Sequence, residues 1–304
     1  MIPDYQTLMR PVLASTERGE RKISEVVSEI IIEFSLSPEE QVELLPSGKQ
    51  TVIANRVHWA KTYLNQAGLI EATRRGVFNL TPRGRDVLAD ATITLDAKYL
   101  RNFEEFRDFQ ARSSKDEDVT SADEARDDSL STPDEDLFAA HAKLQKALGA
   151  SLLDQVRSVS PAFFEQIIVD LLIRKGYGGS SKDAGKALGQ SGDNGVDGVI
   201  DQDRLGVDQI YLQAKRYAQS DPVGAGEIRD FFGALSLKKA SKGIFVTTSS
   251  FTSSATQTAR DLGARIVLID GDQLVNLMIR YNIGCRDKTV LHIKALDETY
   301  FEEG

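Results

Sequence analysis

Three side chains in the C-terminal half have the types and spacing for phosphodiester chemistry. Asp197 lies in Gly192-Asp193-Asn194-Gly195-Val196-Asp197-Gly198, and Gln213 and Lys215 lie in Tyr211-Leu212-Gln213-Ala214-Lys215. Read as two arms of a hairpin turning at Leu205-Gly206, positions 197 and 213 are symmetric about 205, which sets Asp197 opposite Gln213. Cross-strand neighbours have Cβ atoms about 5 Å apart. Strand alternation puts Tyr211, Gln213 and Lys215 on one face and Ile210, Leu212 and Ala214 on the other, where they can pack on a helix. A carboxylate, an amide and an ammonium then converge. Asp197 can bind Mg2+, a hard cation that takes few carboxylates and keeps several waters. Gln213 can ligate weakly or orient a water, and the Ala214 carbonyl is a further candidate ligand. Lys215 can stabilise the charge that develops at phosphorus. The glycines around Asp197 leave room for a phosphate backbone. A polar row on an exposed strand produces the same pattern, and Asp193, in its glycine-rich turn, reads as a turn former.

Glu165 is a fourth candidate. Its i+3, i+4 and i+7 neighbours are Ile168, Val169 and Leu172, so it points toward a largely apolar helix face. A carboxylate there needs a partner. Lys215 or a metal-held water can supply one, and a buried structural ion pair accounts for the residue equally well.

The elements that must position these groups form an α/β pattern. Helices are expected over 137–157 and from Ser160-Pro161 to about Lys175, the second with a serine cap and proline at its first position. Strands are expected at 196–200 and 208–215, a helix at 225–238, and a buried strand at Gly243–Thr248. A helix at 253–262, a strand at Arg265–Ile269, a helix at 271–281 and an edge strand at 289–294 complete an α/β sandwich around one mixed sheet.

The chain has 304 residues and a net charge of −9, which at first argues against a nucleic-acid partner. The distribution reverses that reading. Residues 1–100 carry 12 Lys/Arg and 13 Asp/Glu, residues 101–140 carry 5 and 13, and residues 141–304 carry 20 and 20. The acidity sits in the middle segment, and each flanking domain is free to present a basic face. Arg112–Asp136 is rich in Asp, Glu and Ser and has no sustained period, so 101–140 reads as a flexible acidic linker. A polyanionic segment that occupies a DNA groove and inhibits in cis is the alternative reading. The divisions are therefore 1–100, 101–140 and 141–304. No run long enough to span a membrane occurs, and no signal peptide is evident at the N-terminus. The single Cys285 excludes an internal disulfide and a thiolate zinc cluster and fits a cytoplasmic protein. His58, His141 and His292 are scattered, which disfavours paired-histidine hydrolase schemes, and no Walker-type loop occurs.

Residues 1–100 read as mostly helical. Ser37-Pro38 starts one helix, and 49–67 forms another that Gly68 ends. Leu69-Ile70 and Val77–Leu80 then flank Arg74-Arg75-Gly76 as a short ribbon with a basic tip, and Thr81-Pro82 opens a last short helix. Helices followed by a basic hairpin are the order of a winged helix. Lys49, Asn55, Arg56 and Lys61 lie on or near the candidate recognition helix, and Arg74 and Arg75 lie at the wing. Arg and Lys can contact phosphate, and Asn can read adenine. A solvated basic face explains any one of them equally well, and Trp59 reads as core. Ser249 and Thr252 follow a strand where a loop could meet DNA, although a helix cap is the plainer role for one of them.

Taken together, Phe164-Glu165, Gly176-Tyr177, Gly195-Val196-Asp197-Gly198, Gln213-Ala214-Lys215, and Val246–Ser249 followed by Phe251-Thr252 resemble the Mrr family of restriction endonucleases, a branch of the PD-(D/E)xK nuclease superfamily. Ser47-Gly48, Asn55-Arg56-Val57, Trp59-Ala60, Ala67-Gly68-Leu69 and Leu80-Thr81-Pro82 resemble that family's N-terminal winged-helix domain. The resemblance implies a restriction-endonuclease-like fold, a Mg2+ cofactor and cleavage of double-stranded DNA carrying methylated bases. It maps Asp197, Gln213 and Lys215 onto the catalytic set, with Glu165 as a supporting acid. Gln in place of the superfamily's usual Asp or Glu is normal for this branch and implies a weakly held metal, or one completed by the DNA phosphate. A double-strand cut needs two active sites, so a homodimer or tetramer is expected. A structure-specific nuclease and a catalytically silent DNA-binding regulator are the alternative functions.

Overall fold

The computed structural model describes residues 1–114, 130–178, 196–203 and 207–296. Asp193, the turn at Leu205-Gly206 and the middle of the acidic segment lie outside them. The chain divides into two units, Met1–His141 with Ile293–Gly304, and Ala142–His292.

In the first unit, helix starts follow the cap chemistry written in the sequence. Asp4 accepts from the N–H groups of Gln6 and Thr7 at 2.9 Å and opens α1 (Tyr5–Ser15). After β1 (Arg21–Lys22) come α2 (Ile23–Glu33), α3 (Pro38–Val42) capped by Ser37, and α4 (Val52–Gln66) capped by Thr51. Strands β2 (Ile70–Arg74) and β3 (Val77–Leu80) form the expected ribbon with Arg75-Gly76 at its tip, and β1 adds to β3 to give an antiparallel order β1-β3-β2. Leu8, Met9 and Val12 of α1, Ile30 of α2, and Ile53, Val57 and Leu64 of α4 meet Leu69 and Phe78 in one core. Thr81 caps α5 (Pro82–Ala89), and the short α6 (Ala97–Leu100) leads to α7 (Glu104–Ser114).

The structure differs from the expected linker at both of its ends. Phe106 of α7 is fully buried in the core of the first unit, and Tyr63 meets the Phe106 and Phe109 rings edge-on. At the other end Thr132 is fully buried against Asn55. The aromatic pair at 106 and 109, spaced one helical turn apart, supplies apolar burial that the charged composition of the segment concealed.

The second unit is a mixed four-stranded sheet between helices. Its elements are α8 (Pro133–Ser158, whose first turns belong to the first unit), α9 (Pro161–Arg174), β4 (Gly198–Asp201), β5 (Gln209–Lys215), α10 (Ala225–Leu237), β6 (Lys242–Thr247), α11 (Ser253–Asp261), β7 (Arg265–Ile269) and α12 (Gly271–Arg280). The order is β4-β5-β6-β7, with β4 antiparallel to β5 and the other pairs parallel. Parallel β5–β6 and β6–β7 need crossovers, and α10 and α11 provide them. Ile228, Phe231, Leu235 and Ala255 of these helices pack on one sheet face with Tyr211 and Phe245. Ile210, Leu212, Ala214, Ile244 and Val246 face the other way, against Phe164, Ile168 and Leu172 of α9 and Leu274 and Met278 of α12. The alternation expected for 210–215 is thus the division between the two layers. The edge strand expected at 289–294 is not formed. Val290, Leu291 and Ile293 are exposed, and no strand of the described sheet pairs with them.

Gly84 sits where α5 presses on the turn between α4 and β2 and on the end of β3: a Cβ there would lie 2.0 Å from the Leu69 carbonyl oxygen and 2.8 Å from Leu80 Cδ1. Backbone cannot yield as a side-chain tip can, so Gly84→Ala is expected to destabilise the first unit by about 2–4 kcal/mol. Calorimetry reads this as a lowered unfolding temperature, and an unchanged transition would refute the close contact.

Candidate active site

The expected hairpin register holds. Gly198 pairs with Leu212 and Val199 with Tyr211, and the Asp197 N–H donates to the Leu212 carbonyl at 2.8 Å, so Asp197 arrives beside Gln213 at the open end of β4. One carboxylate oxygen of Asp197, Oδ2, accepts from Gln213 Nε2 at 2.7 Å and from the Ala214 N–H at 2.8 Å. Gln213 is only 3% exposed, so its amide needs this partner. Asp197 and Lys215 are half-buried.

Glu165, in the second turn of α9, is half-buried. Its carboxyl is held above its ordinary value of 4.5, first by desolvation and then by the negative charge of Asp197, while the Lys215 ammonium pulls it down. The two carboxylates and the ammonium therefore share one electrostatic neighbourhood.

A feature that sequence reasoning missed fixes the far side of the site. Three consecutive hydroxyls, starting at the last residue of β6, bond alternate carbonyls starting at the last residue of β5. Thr247 Oγ1 donates to the Lys215 carbonyl at 3.0 Å, Thr248 Oγ1 to that of Tyr217 at 2.7 Å, and Ser249 Oγ to that of Gln219 at 3.3 Å. The Thr248 N–H also donates to the Lys215 carbonyl at 3.2 Å. Lys215 pairs with Thr247 at the last step of the parallel ladder, and the hydroxyls prolong that ladder beyond the strand. Tyr217 is held in turn by its hydroxyl, which donates to Glu227 at 2.8 Å and raises the phenol's pKa. The available signal was four hydroxyl residues in a row, Thr247 to Ser250, at the end of an apolar strand.

A hard divalent cation is the metal that these donors fit. Asp197 keeps Oδ1 for it, Gln213 keeps its amide oxygen once the nitrogen is given to Asp197, and the Ala214 carbonyl is a further candidate oxygen. Among the described residues no group of three or more His, Cys, Asp or Glu gathers as a metal site. So sparse a carboxylate set suits a cation that retains waters rather than zinc. The repulsion that raises the Glu165 carboxyl is what a bound cation would relieve.

The residues expected to face DNA divide into two groups. Lys49 is exposed, and Arg74 and Arg75 are exposed at the ribbon tip, where Arg74 also pairs with Glu20 at 3.1 Å. Lys61 lies over the Phe78 ring at 5.8 Å. Asn55, by contrast, is 3% exposed, and Arg56 is paired with Glu135 at 2.8 Å. Ser249 is buried by its bond to Gln219, and Thr252 caps α11 by accepting from the Ala255 N–H at 3.1 Å. These two side chains hold the fold in the positions where a DNA-facing loop was expected.

Residues 156–278 match a family model described as restriction endonuclease, and residues 5–90 match the Mrr N-terminal domain. The type IV methyl-directed restriction enzyme EcoKMrr of Escherichia coli (strain K12) is 35% identical over 312 residues, covering 99% of this chain and 99% of that protein. Among solved structures, the DNA modification-dependent restriction endonuclease AspBHI matches 45% of this chain and 36% of its own at 20% identity, with a TM-score of 0.32. The MspJI restriction endonuclease in complex with a 27-mer oligonucleotide matches 55% and 36% at 21% identity, with a TM-score of 0.36. At such scores neither structure bears on the fold or site described above.

The raised Glu165 carboxyl makes a prediction about stability and pH. The folded chain binds the proton more tightly than the unfolded chain, so wild type loses stability as pH climbs from 4.5 through the folded value. In metal-free protein, the unfolding temperature of Glu165→Gln minus that of wild type should widen over this range and then level. A difference that stays flat from pH 4 to 8 would remove Glu165 from the shared field.

Proposed function

Because this chain belongs to the Mrr family of type IV restriction endonucleases, we propose that it recognises methylated double-stranded DNA and hydrolyses its phosphodiester bonds with Mg2+. The observation that carries the reading is the clamp of Gln213 and Ala214 on Asp197, with Lys215 and Glu165 in the same electrostatic neighbourhood. The named relative is methyl-directed, which supports the methylated substrate.

Asp197 and Gln213 would hold the cation, with Asp197 fixed in direction by its two hydrogen bonds to β5. Bound Mg2+ supplies neutralising charge at the scissile phosphate and makes a water more acidic. Gln213 contributes no charge, so Asp197 and Gln213 alone would hold the cation weakly, or would hold it with the help of a DNA phosphate. Lys215 neutralises charge as it grows on the phosphoryl oxygens. Its backbone is held by Thr247 and Thr248, which fixes the point from which its side chain reaches the site. Glu165, whose carboxyl in the metal-free chain binds a proton more tightly than an ordinary one, is suited to accept one from the attacking water.

Lys49, Arg74 and Arg75 would contact phosphates from the first unit, which we read as a winged-helix reader spanning about residues 1–100. Each chain offers one nuclease site, so a double-strand cut calls for a homodimer or tetramer. A cytoplasmic location accords with a DNA substrate and with the lone Cys285, and among the described residues no helix is long and apolar enough to cross a membrane.

Plasmid cleavage with Mg2+ tests the reading on adenine-methylated, cytosine-methylated and unmethylated DNA. Only a methylated plasmid should be cut, and Asp197→Ala should lower the rate on the order of a thousandfold. Equal cutting of all three would point to a general or structure-specific nuclease. Binding without any cutting would leave a silent regulator. Calorimetric titration should also give a weak Mg2+ isotherm that Asp197→Ala abolishes, and an isotherm unaffected by the substitution would move the metal away from this residue.

A further inference from the structure

The acidic residues at the start of α8 are seated on α4. Val52, Asn55, Arg56 and Trp59 share one helix face by their spacing of three and four. The Asp134 carboxylate accepts from Asn55 Nδ2 at 2.9 Å and from Trp59 Nε1 at 2.8 Å. The Glu135 carboxylate accepts from Arg56 Nη2 at 2.8 Å and Nε at 3.1 Å. Thr132 Oγ1 donates to Asn55 Oδ1 at 2.7 Å, and Thr132 is fully buried. The segment is preset for this contact. The Thr132 N–H donates to Glu135 Oε2 at 2.8 Å and the Glu135 N–H to Thr132 Oγ1 at 3.3 Å, a capping box with Pro133 at the first helical position.

We infer that Asp134 and Glu135 act as an internal competitor, occupying on α4 the surface that DNA phosphates take when the protein binds its substrate. The inference rests on the DNA-reading role expected of Asn55 and Arg56. Three donors converge here, a guanidinium edge, an amide and an indole N–H, and carboxylate and phosphate oxygens satisfy such donors in the same geometry. Arg56 does not depend on Glu135 for its place. Its Nη1 donates to the carbonyls of Ile2 at 2.7 Å and Pro3 at 3.0 Å, so the guanidinium stays fixed when the carboxylate leaves. The two occupants exclude each other by charge as well as by space. Residues 101–140 carry 13 Asp/Glu against 5 Lys/Arg, and such a segment cannot remain beside a phosphate backbone without repulsion. Binding therefore requires Asp134 and Glu135 to move off α4, and the free protein holds these α4 donors covered.

Trp59 is the only tryptophan, and its indole N–H bonds to Asp134, so its emission reports the contact directly. The full chain, in chelator to prevent cutting, is titrated with labelled methylated duplex while anisotropy and Trp59 emission are followed together. Emission should change at the same DNA concentration as anisotropy. Glu135→Gln, which removes the charge that pairs with Arg56, should tighten binding by about tenfold or more. Asp136→Asn removes an equal charge one residue away, where the carboxylate bonds Ser131 rather than α4, and should tighten it by less than about threefold. Saturated binding with Trp59 emission unchanged, together with equal effects of the two substitutions, would overturn the competitor while leaving the DNA-reading role intact. Absence of duplex binding by both wild type and Glu135→Gln at low salt would overturn that role and the competitor with it.

Discussion

One oxygen of Asp197 takes a hydrogen bond from a buried amide and another from the backbone of the next strand. That pair of bonds compensates a half-buried carboxylate for the water it has lost, and it does so with two donors from β5 alone. The remainder of the site follows from β5 being central. Its antiparallel edge delivers Asp197, its parallel edge delivers the hydroxyls that pin Lys215, and its two faces separate the layer of α9 and α12 from that of α10 and α11. A slip of one residue between β4 and β5 would exchange Gln213 for an apolar neighbour and turn the site inside out. The buried ladder of Ile210 and Leu212 resists that slip, so the packing that stabilises the sheet also sets the chemistry.

Much of this was legible because it is local. The symmetry of 197 and 213 about one turn predicts the observed register, and the alternation of 210–215 predicts which residues meet a helix. The caps at Ser37, Thr81 and Ser160 are local as well, since a helix start is settled by a side chain and an N–H three residues on. What could not be read depends on partners distant in the chain. Thr247, Thr248 and Ser249 look like the end of a strand and a cap, and their role emerges only when 215, 217 and 219 are placed beside them. Asn55 and Arg56 have the side chains of DNA readers, and nothing in their neighbourhood announces that residues near 134 cover them. The acidic segment concealed its ends for another reason. Average composition hid a helical pair, Phe106 and Phe109, and a capping box at Thr132.

Arginine and asparagine at a surface serve two ends with one set of donors. The groups that would grip a phosphate also hold a carboxylate, and a chain that reads DNA must keep them satisfied between encounters. Here the donors of α4 are satisfied by the chain itself, while Lys49, Arg74 and Arg75 remain in solvent. The first unit thus presents basic residues open to long-range attraction, Lys49, Arg74 and Arg75, beside one, Arg56, whose guanidinium is already engaged by Glu135. Such a division separates the capture of a polyanion, which is quick and depends on salt, from its inspection.

The hydroxyl ladder also bears on how the site comes into being. Asp197 and Gln213 are separated by 16 residues, whereas Lys215 and Thr247 are separated by 32. Closing the larger loop costs more chain entropy, and a parallel pair must wait for its crossover helix to fold. The carboxylate and amide can meet as a hairpin while the end of β5 that bears the lysine still lacks its anchor. During synthesis, a chain that has not yet reached Thr247 and Thr248 can pair Asp197 with Gln213 but has nothing to hold the backbone at Lys215.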